Sequence, residues 1–157
     1  MTTYTFDDSS IQWHKLGDIE HLSYSILDID TMNKIVDVIF KLEPFKQIVL
    51  HRHMALNHSF VIQGEHRLYE ANGELKEIRG VGSYTSSPAS NAPHRECGGK
   101  EGAIVLFSIR GSNGIFYEVL DDQQNLIAAL GMQDFVDLYE ANNSKKHKLE
   151  KNNGAML

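Results

Sequence analysis

Four histidines, His51, His53, His58 and His94, are the residues of this chain whose type and spacing point to chemistry. Neutral imidazole is the commonest protein ligand for a divalent transition metal. His51-Arg52-His53 lies in strand-like sequence. On a strand, residues i and i+2 share a face, so both rings can reach one ion. A turn through Met54–Asn57 returns the chain so that His58 joins from the next strand, and His94, after Pro93, supplies a fourth ring. The four are predicted to hold a single metal ion. The other histidines, His14, His21, His66 and His147, read as packed or solvated side chains.

The elements that must position these rings are short strands. Ile35–Leu42 is rich in Val, Ile and Phe and is closed by Pro44. Gln47–His53 alternates, with Val49, His51 and His53 on one face. Ser59–Gln63 follows and ends at Gly64; Arg67–Glu70 and Glu74–Ile78 flank Ala71-Asn72-Gly73, the strongest kind of hairpin signal. Val81–Ser86, Ala103–Arg110, Ile115–Leu120 and Leu126–Leu130 complete the set. Many short strands at regular intervals predict an all-β antiparallel barrel or sandwich. A doubly wound α/β fold would need helices between residues 35 and 120, and none is legible there. Met132–Ala141, with Phe135, Leu138 and Tyr139 at helical spacing, predicts a short C-terminal helix. Residues 1–141 read as one domain, its barrel about 24–120, and 142–157 as a flexible polar tail.

Composition narrows the function classes. The chain has 157 residues, a net charge of -6 and no long basic run, which argues against nucleic acid or an anionic membrane as partner. The single cysteine, Cys97, cannot form an internal disulfide. The N-terminus has neither a basic start nor an apolar run, and no stretch approaches the ~20 apolar residues of a membrane helix. A cytoplasmic protein is the expectation.

From about Phe45 to Gly111 the chain resembles the cupins. Their first motif is His-x-His, a Glu three or four residues on, and then a Gly; here His51-x-His53 is followed by His58 and Gly64. The second motif appears as Gly82, Pro88-Ala89-Ser90 and His94. His58 stands where the glutamate is usual, Ser90 where glycine is common, and Gly98 replaces a frequent asparagine. The resemblance implies a double-stranded β-helix, the RmlC-like jelly-roll barrel, with a mononuclear metal site. The stretch Ile115–Asp122 followed by Leu126–Gly131 is similar to the tail of small cupins that cleave acetylacetone or dihydroxyacetophenone. The cupin domain of zinc-binding anti-sigma factors shares much of the pattern.

That branch implies a non-haem dioxygenase with Fe(II), cleaving a C–C bond in a small diketone, hydroxyketone or aromatic ketone, and a homodimer. Zn, Ni, Mn and Cu are also chemically permitted. The alternative is a non-catalytic metal cupin acting as a ligand sensor or regulatory protein. Four neutral imidazoles leave a divalent ion its full charge, which favours an anionic chelator such as the enolate of a ketone. Phe60, Ile62, Tyr84 and Phe107 are expected to line the substrate cavity. Glu65, Arg95 and Glu96 are read as solvated loop charges near the motifs, and Cys97 as a small buried thiol.

Overall fold

Apolar–polar alternation, interrupted by glycine, dictates most of the architecture. The computed structural model describes residues 4–111 and 114–154. Residues 1–3, 112–113 and 155–157 lie outside the described residues, the last three being the end of the expected polar tail; so does the side chain of His147. The strands are β1 (His14–Lys15), β2 (Leu22–Asp30), β3 (Ile35–Leu42), β4 (His51–His53), β5 (Leu56–Glu70), β6 (Leu75–Gly80), β7 (Tyr84–Ser87), β8 (His94–Arg110), β9 (Ile115–Leu120) and β10 (Leu126–Gly131). A single helix, α1 (Met132–Gly154), follows. It runs on past Ala141, where the sequence pattern ends it, through a lysine-rich stretch. No helix among the described residues is long and apolar enough to cross a membrane.

The strands form one rolled antiparallel sheet in the order β1-β2-β3-β8-β4-β9-β10, with β5 on β8 and β6 and β7 on β5. Strand β8 is the spine. Val36, Val38, Phe40 and Leu42 of β3 stand opposite Ile109, Phe107, Val105 and Ala103 of β8. The same inward residues of β8 face Asn57, Ser59 and Val61 of β5. Strict two-residue periodicity thus aims three neighbouring strands at one core, in which the Phe40 and Phe107 rings meet edge-on with centroids 5.4 Å apart.

At 17 and 15 residues, β8 and β5 exceed the usual strand length, and each bends to stay in the roll. Gly64 and Gly102 both have φ of 74°, and a Cβ on Gly64 would run into the carbonyl of Gly102. The expected break at Gly64 is therefore a bulge inside one long strand, where two backbones approach too closely for any side chain. The Asn72-Gly73 hairpin forms as expected: Gly73 has φ of 89°, and the Asn72 Oδ1 accepts from Glu74 N at 3.0 Å. Helix α1 packs against β2 and β10. Asp134 Oδ2 accepts from Gly131 N at 2.7 Å, satisfying a free amide at the helix start. Phe135 is buried against Phe116 and Tyr117.

Candidate metal centre

Two strands, β4 and β8, bring the chemistry-bearing side chains together. Strand β4 lies between β8 and β9, with His51 opposite both His94 and Val119, and His53 opposite Tyr117. His51 and His53 share the inner face of β4, and His94 and Glu96 share that of β8, each pair by the i, i+2 rule. One ligating atom from each of His51, His53, His94 and Glu96 lies within 4.8 Å of all the others. The three rings have centroids 4.6 to 5.3 Å apart.

Their hydrogen bonds assign roles. His51 Nδ1–H donates to the Val49 carbonyl at 2.8 Å, which fixes the tautomer and turns Nε2 into the cluster. Glu96 receives His51 Nε2 on Oε2 and His66 Nε2 on Oε1, each at 2.7 Å. His66 is fully buried, so its ring holds the carboxylate from behind. The Nε2 atoms of His53 and His94 are buried with no hydrogen-bond partner; His94 Nε2 stands 3.5 Å from Glu96 Oε2.

Burial and charge act on these groups in opposite senses. Burial would raise the Glu96 carboxyl, but the bonds from His51 and His66, with the His94 ring close by, outweigh it and hold the group well below the usual carboxylate range. Burial likewise opposes the His51 cation, yet the bond to Glu96 lifts His51 above the ordinary imidazole value. Burial pushes His53 far down and His94 down, so both rings stay neutral, as a metal ligand must be. Burial, reinforced by the charge of Glu96, pushes the Tyr117 hydroxyl well up, and it donates to Asn57 Oδ1 at 3.1 Å.

The site therefore differs from the one expected. The structure brings His51, His53 and His94 together and leaves His58 out. Asn57 and Ser59 face inward, so pleat parity turns His58 outward, where its Nδ1 bonds the Tyr84 hydroxyl. The fourth member is Glu96, a carboxylate in β8 that is 5% exposed rather than solvated in a loop. The signal was present: His94-Arg95-Glu96 repeats the spacing of His51-Arg52-His53. His66 is packed, as read, but with a purpose no isolated histidine announces.

Parity also corrects the cavity lining. Phe60 and Tyr84 are 42% and 61% exposed on the outer face of β5 and β7, and Ile62 is half-buried away from the cavities beside the cluster. Phe107 alone of the four lines them, and it lines both. One cavity, of ≈ 50 Å³, is walled by apolar side chains such as Leu22, Phe40 and Ile48 and reaches His51 and Glu96. The other, of ≈ 120 Å³, is mixed in character and is bounded by His53, His94 and Glu96 together with Ser59, Lys76 and Arg79, and by apolar Leu68 and Phe107. Elsewhere, Arg95 pairs with Asp122, Glu65 with Arg67, and buried Cys97 touches the Tyr69 hydroxyl, so none of these enters the cluster.

A rolled antiparallel sheet that gathers histidines and a carboxylate on its inner face defines a class: this is the cupin jelly roll, carrying a candidate divalent-metal site of three imidazoles and one carboxylate. The fold is similar to that of an RmlC-like cupin protein from Ralstonia eutropha JMP134, with a TM-score of 0.71 at 20% identity over 94% of this chain and 90% of that one. It is similar also to an acetylacetone dioxygenase from Acinetobacter johnsonii, with a TM-score of 0.64 at 13% identity over 90% and 93% of the two chains. The polyketide cyclase RemF from Streptomyces resistomycificus gives 0.55 at 15% identity over 83% and 85%. No family model matches the sequence, and no curated protein does.

The donor set fits a metal on its own chemistry. Two buried imidazole nitrogens without partners, a third of fixed tautomer and an ionised carboxylate converge on one point. Unpaired buried polar atoms are costly, and an ion satisfies them together.

Proposed function

We propose that this chain is a mononuclear metal-dependent dioxygenase that cleaves a C–C bond in a small diketone, hydroxyketone or aromatic ketone. The observation that carries the reading is the convergence of His51, His53, His94 and Glu96 beside two small cavities. The acetylacetone dioxygenase from Acinetobacter johnsonii shares the fold, which supports the reaction class. When bound, the ion supplies Lewis acidity and, as iron(II), access to dioxygen chemistry.

The chain's own residues account for the rest. The Val49 carbonyl and His66 hold His51 and Glu96 in their ligating orientations. Ionised Glu96 cancels one of the two formal charges of a divalent cation. One positive charge remains, matched by a single enolate rather than by a neutral ketone. His51, His53, His94 and Glu96 would hold the ion, and the adjoining cavities would give a small chelating substrate access to it. The apolar wall of Leu22, Phe40 and Phe107 excludes water from that side.

The test is elemental analysis of protein purified without added metal, followed by oxygen-electrode measurements after iron(II) reconstitution. Oxygen uptake with pentane-2,4-dione or a hydroxyacetophenone is expected. Stoichiometric zinc, with no uptake across a ketone panel after reconstitution, refutes the dioxygenase and leaves a metal cupin that binds a ligand without turnover.

A further inference from the structure

Strand β6 brings a cation to the metal cluster that the dioxygenase reading does not use. Arg79 stands opposite His66 in the β5–β6 ladder, and directly opposed residues of antiparallel strands project to the same face. His66 faces inward and grips Glu96, so Arg79 is carried to the same interior. Its Nη1 donates to Thr85 Oγ1 at 3.2 Å and its Nη2 to Glu77 Oε2 at 3.0 Å. Its Nε–H is buried and has no partner.

Arg79 lines the cavity of ≈ 120 Å³ whose walls also include His53, His94 and Glu96. Lys76 lines the same space, and its charge is felt at His94. The negative groups nearby are already engaged: Glu77 by Arg79 itself, Glu96 by the imidazoles. Arg79, with one guanidinium N–H unsatisfied, and the exposed Lys76 thus border a small cavity that opens on the metal cluster. With both Nη atoms engaged, the free Nε–H is left to offer a carboxylate oxygen a charge-assisted bond.

Resting on the dioxygenase reading of the same site, we propose that Arg79, assisted by Lys76, binds a carboxylate of the substrate. The substrate class is then a small keto acid, with its ketone or enolate oxygens toward the cluster and its carboxylate toward β6. A neutral diketone would leave the Arg79 Nε–H unpaired.

Two measurements on the full chain test this. In the first, the metal-free ¹⁵N-labelled protein is titrated with malonate while the Arg79 Nε–H resonance, assigned by its loss in Arg79→Lys, is followed. A saturable shift is expected. In the second, zinc-loaded protein is titrated calorimetrically with 2,4-dioxopentanoate and with pentane-2,4-dione, the same chelating diketone with and without a carboxylate. Tenfold or tighter binding of the acid is expected, with the preference abolished in Arg79→Met, partly kept in Arg79→Lys and reduced in Lys76→Met. A silent Nε–H resonance, equal affinities, or a preference that survives Arg79→Met overturns the carboxylate subsite. A responsive resonance with neither diketone bound supports the subsite and counts instead against chelation at the metal. The wild-type titration and Arg79→Lys decide the matter if Arg79→Met does not fold.

Discussion

Glu96→Gln separates the observed cluster from the all-histidine one, because it keeps the shape of the side chain and removes only its charge. Two charge-assisted hydrogen bonds of 2.7 Å, to His51 and His66, depend on that charge. Such bonds contribute about 1.5–3 kcal/mol each, against about 1 for a neutral pair. The amide retains one acceptor, so one bond is weakened and the other is replaced by a donor facing a donor. The metal-free chain should lose about 3 kcal/mol, which for a domain of this size lowers Tm by roughly 6–12 °C.

The sign of the pH dependence follows from the two shifts. Glu96 is held down, so its contribution is present above its unfolded value, 4.5, and is lost as pH falls through the folded one. His51 is held up, so its contribution is present below its unfolded value, 6.5, and is lost as pH rises through the folded one. The gap between wild type and variant should be widest between about 4.5 and 6.5 and shrink on the alkaline side. Zinc affinity should fall at least about 100-fold, because an anionic ligand is lost where outer partners alone cost 10–100-fold. Differential scanning calorimetry of chelator-treated protein and competitive zinc titration read the two effects. A variant that keeps wild-type Tm at pH 6 and binds zinc within threefold of wild type refutes the placement of Glu96.

His58→Ala should leave zinc affinity within twofold and Tm nearly unchanged, since His58 lies on the outer face against Tyr84; a tenfold loss of metal would restore it to the ligand set. His66→Phe keeps the ring but frees Glu96 Oε1, and zinc affinity measured by chelator competition should drop about 10–100-fold. Because His51 must give up its proton before Nε2 can ligate, whereas burial keeps His53 and His94 neutral, the rise in Tm produced by zinc should already shrink as pH falls toward 6.5 and go on shrinking below it; a rise unchanged down to about pH 5 would sink imidazole ligation. Gly64→Ala, at φ of 74° and against the Gly102 carbonyl, should cost about 2 kcal/mol or more in a urea melt.

The fold was legible because its signals are local. Val36, Val38, Phe40 and Leu42 declare a strand by their period, and Asn72-Gly73 declares a hairpin by its backbone preference. Three of the four cluster residues were legible for the same reason, since His51 and His53 sit on a strand and His94 follows a turn. His58 was misplaced because parity on β5 depends on where the ladder starts. It starts at Leu56, and one residue of offset reverses a side chain. Glu96 was missed because β8 begins at His94, nine residues before the apolar run that marks it. The stretch 94–102 has no hydrophobic period and reads as loop, yet strands on either side pair with it. Long-range pairing, which no local pattern encodes, is what buries a carboxylate there.

The same strand has a consequence for biosynthesis. His51 and Glu96 lie 45 positions apart in the chain and meet only when β8 has paired. A ribosome-bound chain that has not yet emitted residues 94–110 holds only the His51-x-His53 pair of the four cluster residues. The four donors therefore come together only once β8 has emerged and paired, so full ligation of an ion waits for that strand.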